Sequence, residues 1–497
     1  MATISQPRAG LASGIYSPAQ APVPTPPATP HYLLTGRKAQ PITTTTAMLI
    51  QFAVENFLSF QAKTVLNLTA TADPKHPGHL CPVDKAGHLQ ALRCAAVYGA
   101  NASGKSNLIK AMAFATQLVI EGTRPGASIG VTPFRLQHPV QPDARFEFEI
   151  WTEQTRYSYG FVVSSKEVRQ EWLYRTQEAD EELCFEREAA PDKKVHIKLG
   201  EVFGPEAARV RFVADGTRPE QLFLTEAEER NVAALSPLSK WFRKKLVIVT
   251  PESICRGFPG LLESEPNLRS FVSTYLSDAG TGITALITRR TSADYLPKSK
   301  TKRLQESLKI APNAVVAAPN RAGLVDIVPG QQEHALDEIR VMTQRTLTSG
   351  QTIEFELEEE SDGTRRLLDL LPVLFVILGT DPRGAGGVLV IDELERSLHP
   401  LLARKFLQDA LATSTNKQLL FTTHDTNLLD LDLLRADEIW FAEKGLDHAS
   451  KLYSLAEFKE EQLQHLGSHL EKGYLNGRFG AIPFLGQPRQ LGLERKE

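Results

Sequence analysis

The chain has 497 residues, with 56 Lys and Arg against 59 Asp and Glu, a formal net charge of −3, and 42% hydrophobic and 23% charged residues. That is an ordinary globular composition with room for roughly three to four domains, and it lacks the general positive excess of a protein that coats nucleic acid. No apolar run reaches the roughly 18 residues a membrane-spanning helix needs, and Cys81, Cys94, Cys184 and Cys255 are far apart with no C-x-x-C, which fits a reducing cytosol better than a disulfide framework or a zinc site.

Residues 1–47 hold eight prolines, no Asp or Glu, and the Thr43–Thr46 run. Such a stretch buries too little apolar surface to offset its ordering entropy, so it reads as a disordered N-terminal extension. It has no sustained apolar core of a secretory signal. Met48-Leu-Ile-Gln-Phe-Ala-Val-Glu then reads as the natural first strand of a domain. Either translation starts at Met48 or the preceding residues are dispensable. Residues 49–70 alternate as strands do, Ala95–Tyr98 is a short apolar strand, and Ser106–Ile120 carries Leu108, Ile109, Met112 and Ala115 at helical spacing. Residues 48–130 read as the first part of an α/β core. Over 131–250 the period changes to two, as in Phe146-Glu-Phe-Glu-Ile-Trp, and predicts an inserted antiparallel β region. Residues 251–350 read as mostly helical. From 351 to 497 strands and helices alternate again, the pattern of a parallel sheet flanked by helices.

Gly99-Ala-Asn-Ala-Ser-Gly-Lys-Ser106 fits G-x-x-x-x-G-K-[ST] without a mismatch. Its glycines let successive N–H groups curl around phosphate, Lys105 brings charge to the β- and γ-phosphates, and the Ser106 hydroxyl is a Mg²⁺ ligand. A strand precedes the loop and a helix follows, so the helix presents its positive end to the same anion. Gly99, Asn101, Ser103, Gly104, Lys105, Ser106 and Asn107 are the expected nucleotide-binding residues. Gly387-Val-Leu-Val-Ile-Asp-Glu393 is an apolar strand ending in two acids, with Asp392 suited to Mg²⁺ and Glu393 to polarising a water. Nearly 290 residues separate Lys105 from Asp392, so a large insertion divides one nucleotide site.

That division is similar to the ABC-type ATPases, including their SMC and RecF relatives. Glu360-Ser-Asp-Gly-Thr-Arg-Arg366 resembles the ABC signature, in which Ser361, Gly363 and Thr364 would meet the nucleotide of a second subunit. Glu395-Arg-Ser-Leu-His-Pro400 looks like the D-loop of the RecF-like branch, where His399 shapes a turn. Gln418-Leu-Leu-Phe-Thr-Thr-His424 looks like the strand carrying the histidine that senses the γ-phosphate. No convincing Q-loop stands out, and Gln137 is a weak candidate. With Asn56-Phe-Leu-Ser-Phe60, Thr422-Thr-His-Asp-Thr-Asn-Leu-Leu429, Asp437-Glu-Ile-Trp-Phe and Glu471-Lys-Gly-Tyr-Leu-Asn-Gly-Arg-Phe-Gly-Ala-Ile-Pro483, the chain from Met48 onward resembles the AAA-type, ABC-like ATPases of bacterial abortive-infection operons, of the RloA and AriA type, relatives of the overcoming-lysogenisation-defect ATPases.

The resemblance implies an α/β P-loop NTPase fold of ABC type and a cytoplasmic bacterial ATPase using ATP and Mg²⁺, with Glu393 and His424 catalytic. It also implies a homodimer or larger homo-oligomer joined through ATP sandwiches, and a separately encoded effector such as a TOPRIM-type nuclease. Only about 55 residues follow Glu443, fewer than an effector of that kind needs. Two other readings stay open. A DNA-repair or DNA-tethering ATPase of the RecF or SMC kind would use nucleic-acid contacts such as Lys298, Lys300, Lys302 and Arg303, or Trp241-Phe-Arg-Lys-Lys245. An ATP-bound scaffold would cage an effector without useful turnover.

Overall fold

A computed structural model describes residues 46–84, 86–177, 180–189, 195–253, 255, 257–297, 301, 304–306, 316–317, 325–330, 335–379, 387–413, 415–458 and 470–482. The disorder expected for 1–45, the Lys298, Lys300, Lys302 and Arg303 cluster and Pro483 lie outside them.

Strands with apolar residues at every position have no face for water and must be covered on both sides, which favours a parallel sheet between helix layers. Cys94–Tyr98, Val388–Ile391 and Gln418–Thr422 are buried at every residue. They form the middle of a six-stranded sheet in the order Leu246–Val249, Val388–Ile391, Gln418–Thr422, Cys94–Tyr98, Ile439–Lys444, Ser450–Ser454, parallel except for the last strand. Parallel strands end together. The loops after Tyr98, Val249, Ile391 and Thr422 therefore gather on one edge, where ligands of such sheets bind.

The sheet's two faces alternate along each strand. Ala95, Val97, Val390 and Leu420 face a core that contains Leu108, Ile109, Met112 and Ala115 of the helix Lys105–Glu121. The same core contains Phe52, Phe146 and Phe148 of a second, seven-stranded sheet. This sheet is antiparallel throughout, in the order Val195–Leu199, Asp180–Ala189, Val168–Gln177, Thr155–Val163, Ala144–Thr152, Met48–Glu55, Thr64–Asn67. Strand Met48–Glu55 joins the same sheet as Ala144–Leu199, so the first strand and the inserted strands build one layer. The outward face of this sheet pairs opposite charges, as in Lys63–Glu147 at 2.7 Å and Arg175–Glu182 at 2.7 Å.

Helices Ala207–Asp215, Phe223–Glu229 and Ser236–Lys240 close the same core. A buried carboxylate fixes them to the sheet. Glu171 accepts from Phe223 N–H at 2.6 Å, Leu224 N–H at 3.0 Å and Tyr159 O–H at 3.0 Å. Arg187 stands 3.7 Å from it, and both side chains are fully buried.

Cys94, Ala96, Tyr98, Leu389, Ile391, Leu419 and Phe421 face the other way, into a core with helices Phe258–Ser264, Pro266–Asp278, Asp362–Ile377 and Pro400–Ala412. The expectation that 251–350 is mostly helical is corrected here. Among its described residues the helices with this packing stop at Asp278, and a five-stranded sheet follows. Its order is Ala285–Ser292, Leu336–Thr346, Val325–Pro329, Val316–Ala317, with Thr352–Glu356 also paired to Leu336–Thr346. The physical reason is β-branching: Ile287, Thr288 and Thr291 on one strand and Ile339, Val341 and Thr343 on its neighbour, with Thr288 directly opposite Val341, are branched side chains that suit a pleated surface better than a helix.

Candidate functional site

The loop between Tyr98 and Lys105 is shaped by close approach. A Cβ on Gly99 would lie 2.3 Å from the Ala442 carbonyl oxygen. Gly104 has φ +110°, and a Cβ there would lie 2.2 Å from Ser450 Oγ and 3.0 Å from Ser59 Oγ. Only glycine tolerates both demands. Three polar side chains hold the loop from behind. Asn107 Nδ2 donates to Ser59 Oγ at 2.8 Å, the Ser59 and Ser450 hydroxyls are hydrogen-bonded at 2.8 Å, and Ser450 Oγ donates to the Ser103 carbonyl at 2.7 Å. This gives Asn56-Phe-Leu-Ser-Phe60 a physical meaning: Phe57 and Phe60 are core, and Ser59 fastens the loop. Asn101 lies exposed at the crest, and Ser103 Oγ is buried without a hydrogen-bond partner among the described residues.

Lys105 is 4% exposed. Its ammonium folds back onto the loop, donating to the carbonyls of Gly99 at 2.8 Å and Ala100 at 3.0 Å, and reaches His424 Nδ1 at 3.2 Å. Burial lowers its pKa from 10.5 to about 8, against the pull of Glu395, Asp392 and Glu393. Burial and the neighbouring ammonium also lower His424, which suits its place as the acceptor of a lysine proton.

Asp392 ends the adjacent strand. Its Oδ1 accepts from Thr422 Oγ1 at 2.5 Å and from Ser106 Oγ at 3.2 Å, while burial raises its pKa. Glu393 follows with φ +52°, its N–H donating to Thr422 Oγ1 at 2.8 Å. A positive φ at a non-glycine residue is strained. It is held by this bond and by Arg366 Nη2, which donates to the carbonyls of Asp392 at 3.3 Å and Glu393 at 3.2 Å. Glu395 Oε1 accepts the His424 N–H at 2.6 Å. Lys105, Ser106, Asp392, Glu393 and His424, distant in sequence, are thus neighbours at the ends of three adjacent strands.

Ser361, Gly363 and Thr364 stand elsewhere. Ser361 caps the helix Asp362–Ile377, its Oγ accepting from Thr364 N–H at 3.2 Å. Gly363 packs so closely on the following turn that a Cβ would lie 2.8 Å from the Ser397 carbonyl oxygen. His399 caps the helix Pro400–Ala412, its Nδ1 accepting from Leu401 N–H at 3.3 Å. Thr281, Arg345, Glu360, Ser361, Gly363 and His399 line a pocket of about 430 Å³, and no residue of Gly99–Asn107 lines it.

Gln137 does not join the site. Its amide donates to Asn56 Oδ1 at 2.9 Å. The turn that does lie beside the acids is Thr250–Ser253, after the edge strand, where Asp392 N–H donates to the Val249 carbonyl at 2.8 Å. Sequence reading passed over this turn, and also Ser59, Arg366, Thr422 and Ser450. The run Leu246-Val-Ile-Val249 before Thr-Pro was the one available signal. The segment Leu470–Ile482 also reaches the loop, with Ala100 N–H donating to the Ala481 carbonyl at 2.9 Å and Thr426 Oγ1 to Glu471 at 2.7 Å.

The donor set fits a magnesium triphosphate: hydroxyl and carboxylate oxygens of Ser106 and Asp392 are the hard ligands that Mg²⁺ takes. The same loop carries a buried ammonium at Lys105 and a buried hydroxyl at Ser103 that has no hydrogen-bond partner among the described residues.

Comparison with known proteins agrees. The family model described as "AAA domain, putative AbiEii toxin, Type IV TA system" matches residues 94–228 and 260–430, more than half of the chain. No curated protein matches. Among solved structures, the SMC head bound to the C-winged helix domain of ScpA is 13% identical, over 84% of this chain and 99% of that one, with TM-score 0.37. The SMC head domain from Thermotoga maritima is 12% identical over 82% and 98%, with TM-score 0.33. The SMC head domain with an extended coiled coil, bound to the C-terminal domain of ScpA derived from Pyrococcus furiosus, is 13% identical over 84% and 98%, with TM-score 0.35. The chain belongs to the AAA family of that model, with the phosphate-binding loop of a P-loop ATPase.

Proposed function

We propose that the chain is an ATP-hydrolysing switch that closes two copies face to face around ATP, and that it serves as the sensor of a bacterial abortive-infection system acting in the cytoplasm with a separately encoded effector, such as a TOPRIM-type nuclease. One observation carries the face-to-face reading. Lys105, Asp392, Glu393 and His424 share one site, while Ser361 and Gly363 line a pocket that no P-loop residue enters. A second copy would bring that pocket to the nucleotide.

In this reading Lys105 leaves the Gly99 and Ala100 carbonyls for the β- and γ-phosphates. The loop N–H groups receive phosphate oxygens. Ser106 and Asp392 hold magnesium, which when bound neutralises charge on the phosphates. Glu393 orients and deprotonates the attacking water. His424, released from Lys105, reports on the γ-phosphate. Loss of that phosphate removes the charge joining the copies, so hydrolysis resets the shape.

The antiviral part is supported by the family description, which names an AbiEii toxin of a type IV system. A nucleic-acid groove draws no support from Trp241–Lys245: Trp241 and Phe242 are fully buried, and Arg243 pairs with Glu228 at 3.1 Å. Among the described residues no helix is long and apolar enough to cross a membrane.

The test is MgATP turnover across a wide range of protein concentration. Specific activity is expected to rise with concentration. Glu393→Gln is expected to accumulate an ATP-bound dimer and Lys105→Ala to form none. Turnover independent of concentration, or wild-type hydrolysis by Glu393→Gln, would refute the switch. For the defence role, cells carrying the gene and its operon are challenged with phage, and protection is expected to vanish with Lys105→Ala.

A further inference from the structure

The pocket at the signature turn holds an ion pair between the motif's first residue, Glu360, and a cation outside the motif, Arg345. Arg345 lies near the end of the strand Leu336–Thr346, and its guanidinium grips Glu360 with two prongs, Nη1 to Oε1 at 2.7 Å and Nη2 to Oε2 at 2.8 Å. Thr343 Oγ1 donates to the same carboxylate at 2.5 Å. Burial opposes ionisation of Glu360, but these hydrogen bonds hold its pKa below the ordinary range, so it carries a full negative charge.

Glu360 immediately precedes Ser361, and both line the pocket. A phosphate arriving at Ser361 would therefore meet a carboxylate at close range, a like-charge contact that disfavours association. Among the described lining residues Arg345 is the one Lys or Arg, against Glu359 and Glu360. Its side chain is 30% exposed while Glu360 is 3% exposed, so the cation is the partner open to the pocket. The guanidinium stays charged and presents a planar fork that matches phosphate as well as carboxylate.

We propose that Arg345 offers its charge to the terminal phosphate of a nucleotide carried by a second copy of the chain, and that Glu360 holds Arg345 in place and competes with that phosphate for it. This rests on the face-to-face reading above and adds to it a binding residue some sixteen positions before the signature serine. It also gives the five-stranded sheet a direct mechanical connection to the phosphate, because Arg345 and Thr343 belong to its central strand.

The experiment uses the full chain carrying Glu393→Gln, so that ATP is not consumed. ATP-driven pairing is followed by sedimentation velocity. Binding of a fluorescent ATP analogue at the chain's own P-loop is measured at a concentration too low for pairing, and thermal unfolding checks the fold. Adding Arg345→Ala is expected to weaken pairing by about tenfold to a hundredfold, the worth of a charge-assisted hydrogen bond, with analogue binding unchanged. Arg345→Lys, which keeps the charge without the fork, is expected to fall between. Adding Glu360→Gln instead is expected to tighten pairing, because it frees Arg345 and removes a negative charge. If the pair only braces the turn, Arg345→Ala and Glu360→Gln both weaken pairing. That result, or no effect of Arg345→Ala, overturns the role of Arg345 and leaves the face-to-face reading standing. If the Glu393→Gln reference binds the analogue but ATP never pairs it, the face-to-face reading itself fails and the role of Arg345 falls with it.

Discussion

Lys105 makes a quantitative demand on how this protein binds ATP. With its pKa lowered to about 8 by burial, roughly nine-tenths of the empty protein carries the ammonium at about pH 7 and roughly one-tenth at about pH 9. Phosphate binds the ammonium form, so binding favours the proton and draws one in as pH rises past the empty-state value. Affinity is therefore level below that value and falls by up to about tenfold, or ~1.4 kcal/mol, per pH unit above it. Between about pH 7 and about pH 9 the dissociation constant of MgATP is expected to rise about tenfold. A lysine at the ordinary 10.5 would change it by only a few per cent over the same range. Titration calorimetry in two buffers of different ionisation heat reads both quantities, the affinity and the proton uptake, which approaches one proton at the upper pH. Lys105→Arg is expected to bind more weakly and without this pH dependence, since its guanidinium does not titrate there. A flat affinity with no proton uptake in the wild type would refute the assignment of the buried, carbonyl-bound ammonium as the phosphate ligand.

Three further outcomes follow from the packing. Asp392→Asn keeps an acceptor for Ser106 and Thr422 and removes a buried charge, so the melting temperature is expected to hold or rise while the Mg²⁺ dependence of nucleotide binding is lost; a large drop in stability would show that the charge itself braces the strand ends. Gly363→Ala places a methyl 2.8 Å from the Ser397 carbonyl oxygen, so denaturant titration should show a loss of about 1–3 kcal/mol, with ATP-driven pairing lost and P-loop binding retained. Arg187→Ala leaves Glu171 buried with its charge uncompensated, and is expected to cost about 3–5 kcal/mol in the same titration; a cost below about 1 kcal/mol would mean that the backbone donors of Phe223 and Leu224 suffice alone.

The phosphate loop was legible in sequence because its chemistry is local. A glycine-rich turn between an apolar strand and a helix can be recognised from eight consecutive residues, and the acid pair at the end of Val388–Ile391 has the same one-strand character. Runs without a polar face also announced a parallel sheet covered on both sides. The region after Asp278 misled for the opposite reason: Leu286-Ile-Thr-Arg-Arg-Thr291 and Ile339-Arg-Val-Met-Thr343 are brief and mixed, and what makes them strands is pairing with each other some fifty residues apart.

Sheet order, which no local pattern specifies, placed Asp392 and His424 beside Lys105 and set Thr250–Ser253 next to the acids. Tertiary contact adds a second demand for glycine at Gly104 beyond its φ of +110°, since the atoms that exclude a side chain there belong to Ser59 and Ser450. Tertiary contact alone identifies Arg366 and Arg345, ordinary cations in sequence that become particular through the carbonyls and the carboxylate they meet. The sequence by itself determined the phosphate chemistry, because backbone conformation and residue type suffice for a loop that cradles an anion. The tertiary structure decided which charges stand around it and which residues line the pocket at Ser361 and Gly363, because those depend on the distances between segments that the chain brings together only on folding.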